Sequence, residues 1–355
     1  MNFATHPPSV GVTQNTPNAS APSNASALFN TTIIHGRYNI TSIIGKGKFG
    51  VVLKACDIIT EEPVAIKREA RGSQMSSIKH ETKIMTYLFQ NKFRKLPFVY
   101  WYGSQGPWQY LVMTYYDCSL DAFVKSDEFD SALILENLFS QCICILENIH
   151  KLYVLHRDIK PENFMIKGGE VYLIDYGLAT FWMGGDGEHI ANMRQDMITG
   201  TPKYVSYYNY IGNTISRRDD LISLGYMIMY FMYGYLPWQG QNPNYDMKSW
   251  QNLSDFLANE TTLNDVEKSL ISPHRISANG MLSRSISRMN DVEDELYESE
   301  ALGVFGGIPT KGRYEAKLDE NAPSIKITHY MEYCYSLEFD ETPNYSVLCG
   351  LFTAI

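Results

Sequence analysis

Residues 156–163 read His156-Arg157-Asp158-Ile159-Lys160-Pro161-Glu162-Asn163, and Asp175-Tyr176-Gly177 follows soon after. A carboxylate, a lysine and an amide share one short loop, and a second carboxylate stands at the next strand edge. That set suits phosphoryl transfer from a metal-bound nucleotide. The attacking hydroxyl needs a base that orients it, the moving phosphate needs a cation, and the metal needs oxygen ligands. Asp158 is the candidate base, Lys160 the candidate cation, and Asn163 and Asp175 the candidate metal ligands. A lone His-Arg-Asp triplet arises by chance, but the whole string with Asp-Tyr-Gly behind it is far harder to reach that way.

Such a loop needs elements to hold it and a second surface to hold the nucleotide. Residues 38–44 and 51–55 read as two strands joined by a Gly-rich turn, Gly45-Lys46-Gly47-Lys48-Phe49-Gly50, with Val52 beyond it. Glycines between strands often mark only a tight hairpin. Here Pro63-Val64-Ala65-Ile66-Lys67 follows as a third strand. Glycines let backbone close over phosphates, Val52 can roof a base ring, and Lys67 can pair with phosphate oxygens. A lysine on a buried strand needs a counter-charge. Glu81, on a helix expected over 77–88, is the natural candidate; its polar neighbours His80 and Lys83 also permit a solvated carboxylate.

Two further strands are expected near 98–102 and 109–114. The second half reads as helical, with an apolar stripe over 131–152 and a helix at 221–233 that is apolar on nearly every side. A strand-rich part followed by a helix-rich part, with the chemistry at their junction, is an α+β, two-lobed architecture. Residues 1–34 are rich in Asn, Ser, Thr and Pro with almost no charge, and are expected to form a disordered arm, with order starting near Tyr38. Residues 241–325 read as an insertion or mobile loop holding at most one helix near 264–269, and compact pattern returns as one or two helices over 328–351.

Composition narrows the partners. Thirty Lys+Arg against 39 Asp+Glu give a formal net charge of −9. Neither nucleic acid nor an anionic membrane is therefore expected as the main partner. No apolar run is long enough to span a membrane, and no secretory pattern opens the chain, so cytoplasm or nucleus is expected. Of the six cysteines, Cys142 and Cys144 are the close pair in sequence. Two apart on a helix, they point to different faces, and buried thiols in a reducing compartment are expected.

Together these strings resemble eukaryotic protein kinases, and within them the casein kinase 1 group. The narrower resemblance rests on Gly200-Thr201-Pro202-Lys203-Tyr204-Val205-Ser206, on Ser216-Arg217-Arg218-Asp219-Asp220-Leu221-Ile222-Ser223-Leu224-Gly225-Tyr226, on Leu236-Pro237-Trp238-Gln239-Gly240 and on Cys334-Tyr335-Ser336-Leu337-Glu338-Phe339-Asp340. It implies a bilobal Ser/Thr kinase over 35–352, with lobes at 38–115 and 116–352, using ATP and Mg2+. Its partners would be protein substrates, acidic or already phosphorylated, and it would act as a monomer. It implies nucleotide contacts from Ile44, Gly45, Lys46, Gly47, Lys48, Phe49, Gly50, Val52, Ala65, Lys67, Met113 and Tyr115, with Met113 at the inner end of the hinge and Tyr115 and Tyr116 near the adenine. It also implies that Asp220 holds the catalytic-loop backbone, while Arg157 is open to either of two roles, touching substrate or anchoring the activation segment. A pseudokinase or nucleotide-binding scaffold is the alternative. Such proteins usually lack one of Lys67, Asp158, Asn163 and Asp175, and none is missing here. The group's phosphate-reading basic residue before the Gly-Thr is Met193 here, with Arg194 beside it, and Arg217 and Arg218 are left as candidate anion contacts.

Overall fold

The computed structural model describes residues 32–47, 50–72, 77–126, 132–240, 244–268 and 323–352. The N-terminal lobe is a six-stranded antiparallel sheet in the order β1-β2-β3-β4-β6-β5. Its strands are β1 (Ile33–Ile34), β2 (Tyr38–Gly47), β3 (Gly50–Asp57), β4 (Pro63–Ala70), β5 (Val99–Gln105) and β6 (Trp108–Thr114). Alternation along β4 sorts its side chains between two faces. Val64 and Ile66 join a small core with Ile34, Tyr38, Leu53 and Val112. Ala65 turns to the opposite side and joins the main core. Lys67 and Glu69 share that side by register, and it faces helix α1 (Ile78–Gln90).

The C-terminal lobe is built on two long helices. Helix α3 (Ala132–Lys151) follows the short α2 (Leu120–Val124), and α5 (Arg217–Tyr233) follows α4 (Tyr207–Tyr210). Cys142, Ile143, Leu146 and Ile149 of α3 and Leu221, Ile222, Leu224 and residues 226–229 of α5 are all closed to solvent in one core. Burial of that many large side chains, each worth about 1.5–3 kcal/mol, makes this the stable half of the molecule. Short strands carry the chemistry between the helices. β7 (Cys118–Ser119), β9 (Phe164–Lys167) and β10 (Glu170–Leu173) form one sheet, and β8 (Val154–Leu155) pairs with β11 (Thr180–Phe181). The loop from His156 to Asn163 lies between β8 and β9, and Asp175 leaves β10. Two connections between the small sheets therefore carry both to the junction of the lobes.

Two expectations change. Order begins before Tyr38: Ile33–Ile34 pairs with β2 and Ile34 is fully buried. Ile34 completes the small core while Ile33 stays exposed, a contribution too short to show as a pattern. Residues 1–31 lie outside the described residues. The region 241–325 does not begin as a loop, because α6 (Trp250–Lys268) starts at Trp250, and Leu253 and Leu257 are closed in the main core. Gln251, Asn252, Ser254 and Asp255 dilute its apolar stripe enough to hide it in the sequence. Residues 269–322 lie outside the described residues. The expected return of compact pattern holds as two helices, α7 (Pro323–Ser336), which starts five residues early, and α8 (Tyr345–Gly350). α7 is fastened to α5 by the Tyr330 hydroxyl, which donates to the Leu221 carbonyl at 3.0 Å. Among the described residues no helix is long and apolar enough to cross a membrane.

Candidate active site

Two clusters meet at the junction. The first gathers around Lys67, whose side chain is almost buried. Its Nζ donates to Glu81 Oε2 at 2.7 Å and to Asp175 Oδ1 at 2.8 Å. Burial works against the ammonium, but the two carboxylates outweigh it and raise the Lys67 pKa. Burial pushes the carboxyl of the enclosed Glu81 up, against the pull of Lys67. For Asp175 burial also acts upward, yet the Lys67 charge and hydrogen bond hold it below its ordinary value. The solvated-carboxylate reading of Glu81 is thus excluded by its full burial on Lys67.

Asp175 sits in the left-handed region, φ 62, and this turn separates the two side chains that follow from β10. Its carboxylate, 43% accessible, faces the cleft. Tyr176 goes the other way, fully buried with its ring 5.1 Å from that of His156.

One further residue fixes this cluster. Glu69, on the same face of β4 as Lys67, accepts from Ser77 N at 2.9 Å, from Ser77 Oγ at 2.7 Å and from Ile78 N at 3.3 Å. A carboxylate at a helix N-terminus satisfies otherwise orphaned N–H groups and suits the helix dipole. One strand therefore grips α1 twice, at its first turn through Glu69 and at Glu81 through Lys67. Glu69→Ala is expected to destabilise the fold by about 1.5–3 kcal/mol, the range for hydrogen bonds to a charged group. It is also expected to weaken ATP binding more than peptide binding. A fall in Tm with unchanged ATP affinity would confine Glu69 to packing.

The second cluster is the loop itself. Arg157 lies at φ 67, an uncommon conformation for a side chain of its size. The loop is held there by Asp220, whose carboxylate accepts from His156 N at 2.8 Å and Arg157 N at 2.9 Å. His150 Nε2 lies 3.0 Å from the same carboxylate, and its Nδ1 lies 2.6 Å from the Tyr345 hydroxyl. Arg157 Nε donates to the Leu178 carbonyl at 2.6 Å, so it anchors the segment after Asp175.

Asp158 then stands with each oxygen engaged. Oδ1 accepts from the Thr201 hydroxyl at 2.7 Å, and Oδ2 accepts from Lys160 Nζ at 2.6 Å and Asn163 Nδ2 at 3.2 Å. Lys160 Nζ also donates to Thr201 Oγ1 at 3.0 Å. Thr201 reaches them because Gly200, at φ 105, passes so close that a Cβ there would lie 2.6 Å from the Arg157 carbonyl. An aliphatic hydroxyl is thus held between a carboxylate that accepts its proton and a cation that supports its oxygen.

Below that loop lies Lys248, fully buried. Its Nζ donates to the carbonyls of Pro202 at 2.9 Å and Val205 at 2.5 Å, and the rings of Tyr226, Trp238 and Tyr245 stand 5.0–5.2 Å from it. Burial pulls its pKa down to about 7. A neutral amine keeps two N–H groups, enough for both carbonyls, so the tie survives deprotonation. Lys248→Met leaves two buried carbonyls without that donor. It is expected to raise the peptide KM about tenfold or more, from the loss of roughly 1–3 kcal/mol per orphaned group. Between about 7 and the ordinary lysine value of 10.5 the unfolded chain holds a proton here that the folded chain lacks. Stability therefore rises with pH in that window, and the gap between the native chain and Lys248→Met should widen. A gap that narrows would contradict the burial of an uncompensated ammonium.

Over the clusters lies the Gly-rich hairpin. Gly45 pairs with Val52 and Gly47 with Gly50. A Cβ on Gly50 would lie 2.1 Å from the Arg68 carbonyl, so the turn closes onto β4 only without a side chain. Val52 pairs with Lys67, and Ala65 with Met113, which places these expected contacts on adjoining strands of one surface. Ile44 and Lys46 are exposed on the rim. Lys48 and Phe49 lie outside the described residues. Lys54 Nζ sits 4.1 Å from the Tyr115 ring centre, while Tyr116 is buried against Tyr172 and serves packing.

The donor set fits a small hard cation shared with phosphates. Asn163 offers a carboxamide and Asp175 an accessible carboxylate, and Mg2+ usually takes one or two carboxylates plus substrate phosphates. Among the described residues no cluster of three or more His, Cys, Asp or Glu is found. Arg217 and Arg218 are not anion contacts. Both are buried, Arg217 Nη2 donating to the Asp340 carbonyl at 2.5 Å and Arg218 Nη1 to the Leu337 carbonyl at 3.0 Å. Trp182 and Tyr208 cover their guanidinium faces. Their i, i+1 charges look like a surface patch in sequence, but the segment between α7 and α8 closes over them.

A family model described as a protein kinase domain matches residues 38–289.

Proposed function

Since this chain belongs to the protein kinase family, we propose that it is a Ser/Thr kinase of the casein kinase 1 type, acting with Mg2+ on acidic protein substrates. The carrying observation is the Thr201 hydroxyl lodged between Asp158 Oδ1 and Lys160 Nζ. It is a short aliphatic hydroxyl in the environment that a substrate serine would need. A phenol would carry its oxygen several ångströms further from its own backbone and would not enter at that depth.

Bound Mg-ATP supplies the electrophilic γ-phosphorus and the metal charge that neutralises the leaving diphosphate. Lys67, fixed by Glu81, pairs with phosphate oxygens. Asn163 and Asp175 would hold the metal. Asp158 accepts the proton of the substrate hydroxyl and aims its oxygen. Lys160 offsets the charge that gathers on the transferring group, and the Gly-rich hairpin excludes water from above.

The acidic preference rests on the resemblance and on Arg194 and Lys203, which flank the Gly200-Thr201 turn in sequence. With Arg217 and Arg218 turned inward, carboxylates rather than a priming phosphate are the expected anions. The resemblance is what supports reading it as a monomer that acts in cytoplasm or nucleus. A positional peptide library, with and without an upstream phosphoserine, tests the substrate reading. Acidic peptides should lead and priming should add less than about tenfold, or 1.4 kcal/mol. Basic peptides leading the library would sink it.

A further inference from the structure

We propose that Cys144 of α3 and Cys349 of α8 form a redox-modification site, a dithiol that a peroxide closes into a disulfide tying the last described helix to the core of the C-terminal lobe. The two sulfurs lie 3.6 Å apart although 205 positions separate them in the chain. A disulfide needs about 2.05 Å, so closure requires an approach of about 1.5 Å, within the reach of side-chain rotation. Cys142, the sequence neighbour of Cys144, is fully buried in the main core and takes no part.

The pair is asymmetric, which sets the order of events. Cys144 is exposed and Cys349 half-buried. Burial and the contact with Cys144 push the Cys349 thiol up to about 12. The Cys144 thiolate therefore attacks the peroxide first. Its sulfur takes one oxygen, the O–O bond breaks, and hydroxide leaves to become water. Cys349 then gives up its proton and its sulfur attacks the sulfenic sulfur, expelling a second water. Two thiols lose two electrons, and one peroxide becomes two waters.

The place of this pair gives the closure a consequence. Tyr345 lies one helical turn before Cys349, and its hydroxyl meets His150 Nδ1 at 2.6 Å. His150 in turn meets Asp220, which holds the backbone of His156 and Arg157. The tether thus secures the outer end of a hydrogen-bond chain that finishes in the catalytic loop. This inference does not depend on which hydroxyl amino acid is phosphorylated.

The full-length chain, reduced and freed of thiol, is treated with hydrogen peroxide, then mapped by non-reducing peptide mass spectrometry and melted. The expected product links the Cys144 and Cys349 peptides at about 2 Da below their summed mass and reverts with dithiothreitol. Oxidation should raise Tm by about 5 °C, and Cys144→Ser should abolish the rise. Cys349→Ser should leave Cys144 as a sulfenic acid that dimedone traps. Failure of peroxide to link the two, through inert thiols, through overoxidised Cys144 or through another cysteine, would overturn the proposal, as would an unchanged Tm in the linked protein.

Discussion

Asp158→Asn should lower kcat by roughly 10²–10⁴-fold, the usual contribution of a positioned proton acceptor, while ATP affinity stays within about twofold, under 0.5 kcal/mol. The substitution keeps the shape of the side chain and an acceptor for Thr201 or Lys160. It removes the negative charge and the ability to take a proton. Asn163 Nδ2 also bonds the Asp158 carbonyl at 2.8 Å, and that bond is untouched by the change. The loop should therefore keep its form, since Asp220 holds it from beneath. Equal losses in kcat and kcat/KM, with an unaltered melting curve, are the expected signature of an interaction made in the transition state. A loss that appears only as a raised KM for peptide would instead make Asp158 a substrate-binding group.

The second large effect concerns Lys67. Lys67→Met removes the cation that compensates Glu81, which is fully buried. Breaking a buried pair from one side costs about 3–5 kcal/mol, because the remaining charge has lost its counter-ion. The variant should melt well below the native chain and lose ATP binding. Adding Glu81→Gln should recover much of the stability and none of the activity. That separation follows from the geometry, since Glu81 acts only on Lys67, whereas Lys67 also faces Asp175 and the nucleotide site. If the double variant were no more stable than Lys67→Met, the buried carboxylate would not be the source of the loss.

The parts of the site that sequence exposed are the parts that are local. Asp158, Lys160 and Asn163 fit one loop, and Lys67 and Glu81 sit on consecutive elements, so spacing read together with the family resemblance brought them into view. Thr201 is different. Its contact with Asp158 spans 43 positions and depends on Gly200 passing close to Arg157, which no periodicity reports. Glu69 was legible in principle, because period two along β4 puts it on the face of Lys67. Nothing local marks Lys248, whose partners Pro202 and Val205 come from a different part of the lobe. Arg217 and Arg218 misled for the same reason. Charges on the first turn of a helix read as surface until a distant segment is seen to cover them. Among the elements, the long apolar helices and the alternating strands were plain, while α6 and the two-residue β1 were hidden by polar dilution and by shortness.

The space between Asp158 and Lys160 takes the aliphatic hydroxyl of Thr201. The most direct measurement is the rate of γ-phosphate transfer from Mg-ATP to three acidic peptides that differ only in Ser, Thr or Tyr at the acceptor, with Asp158→Asn as the baseline. Phosphorylated Ser and Thr peptides at rates at least about 10²-fold above the Tyr peptide, both falling to baseline in Asp158→Asn, are predicted. Equal or faster transfer to Tyr, or transfer that Asp158→Asn leaves unchanged, would contradict the account.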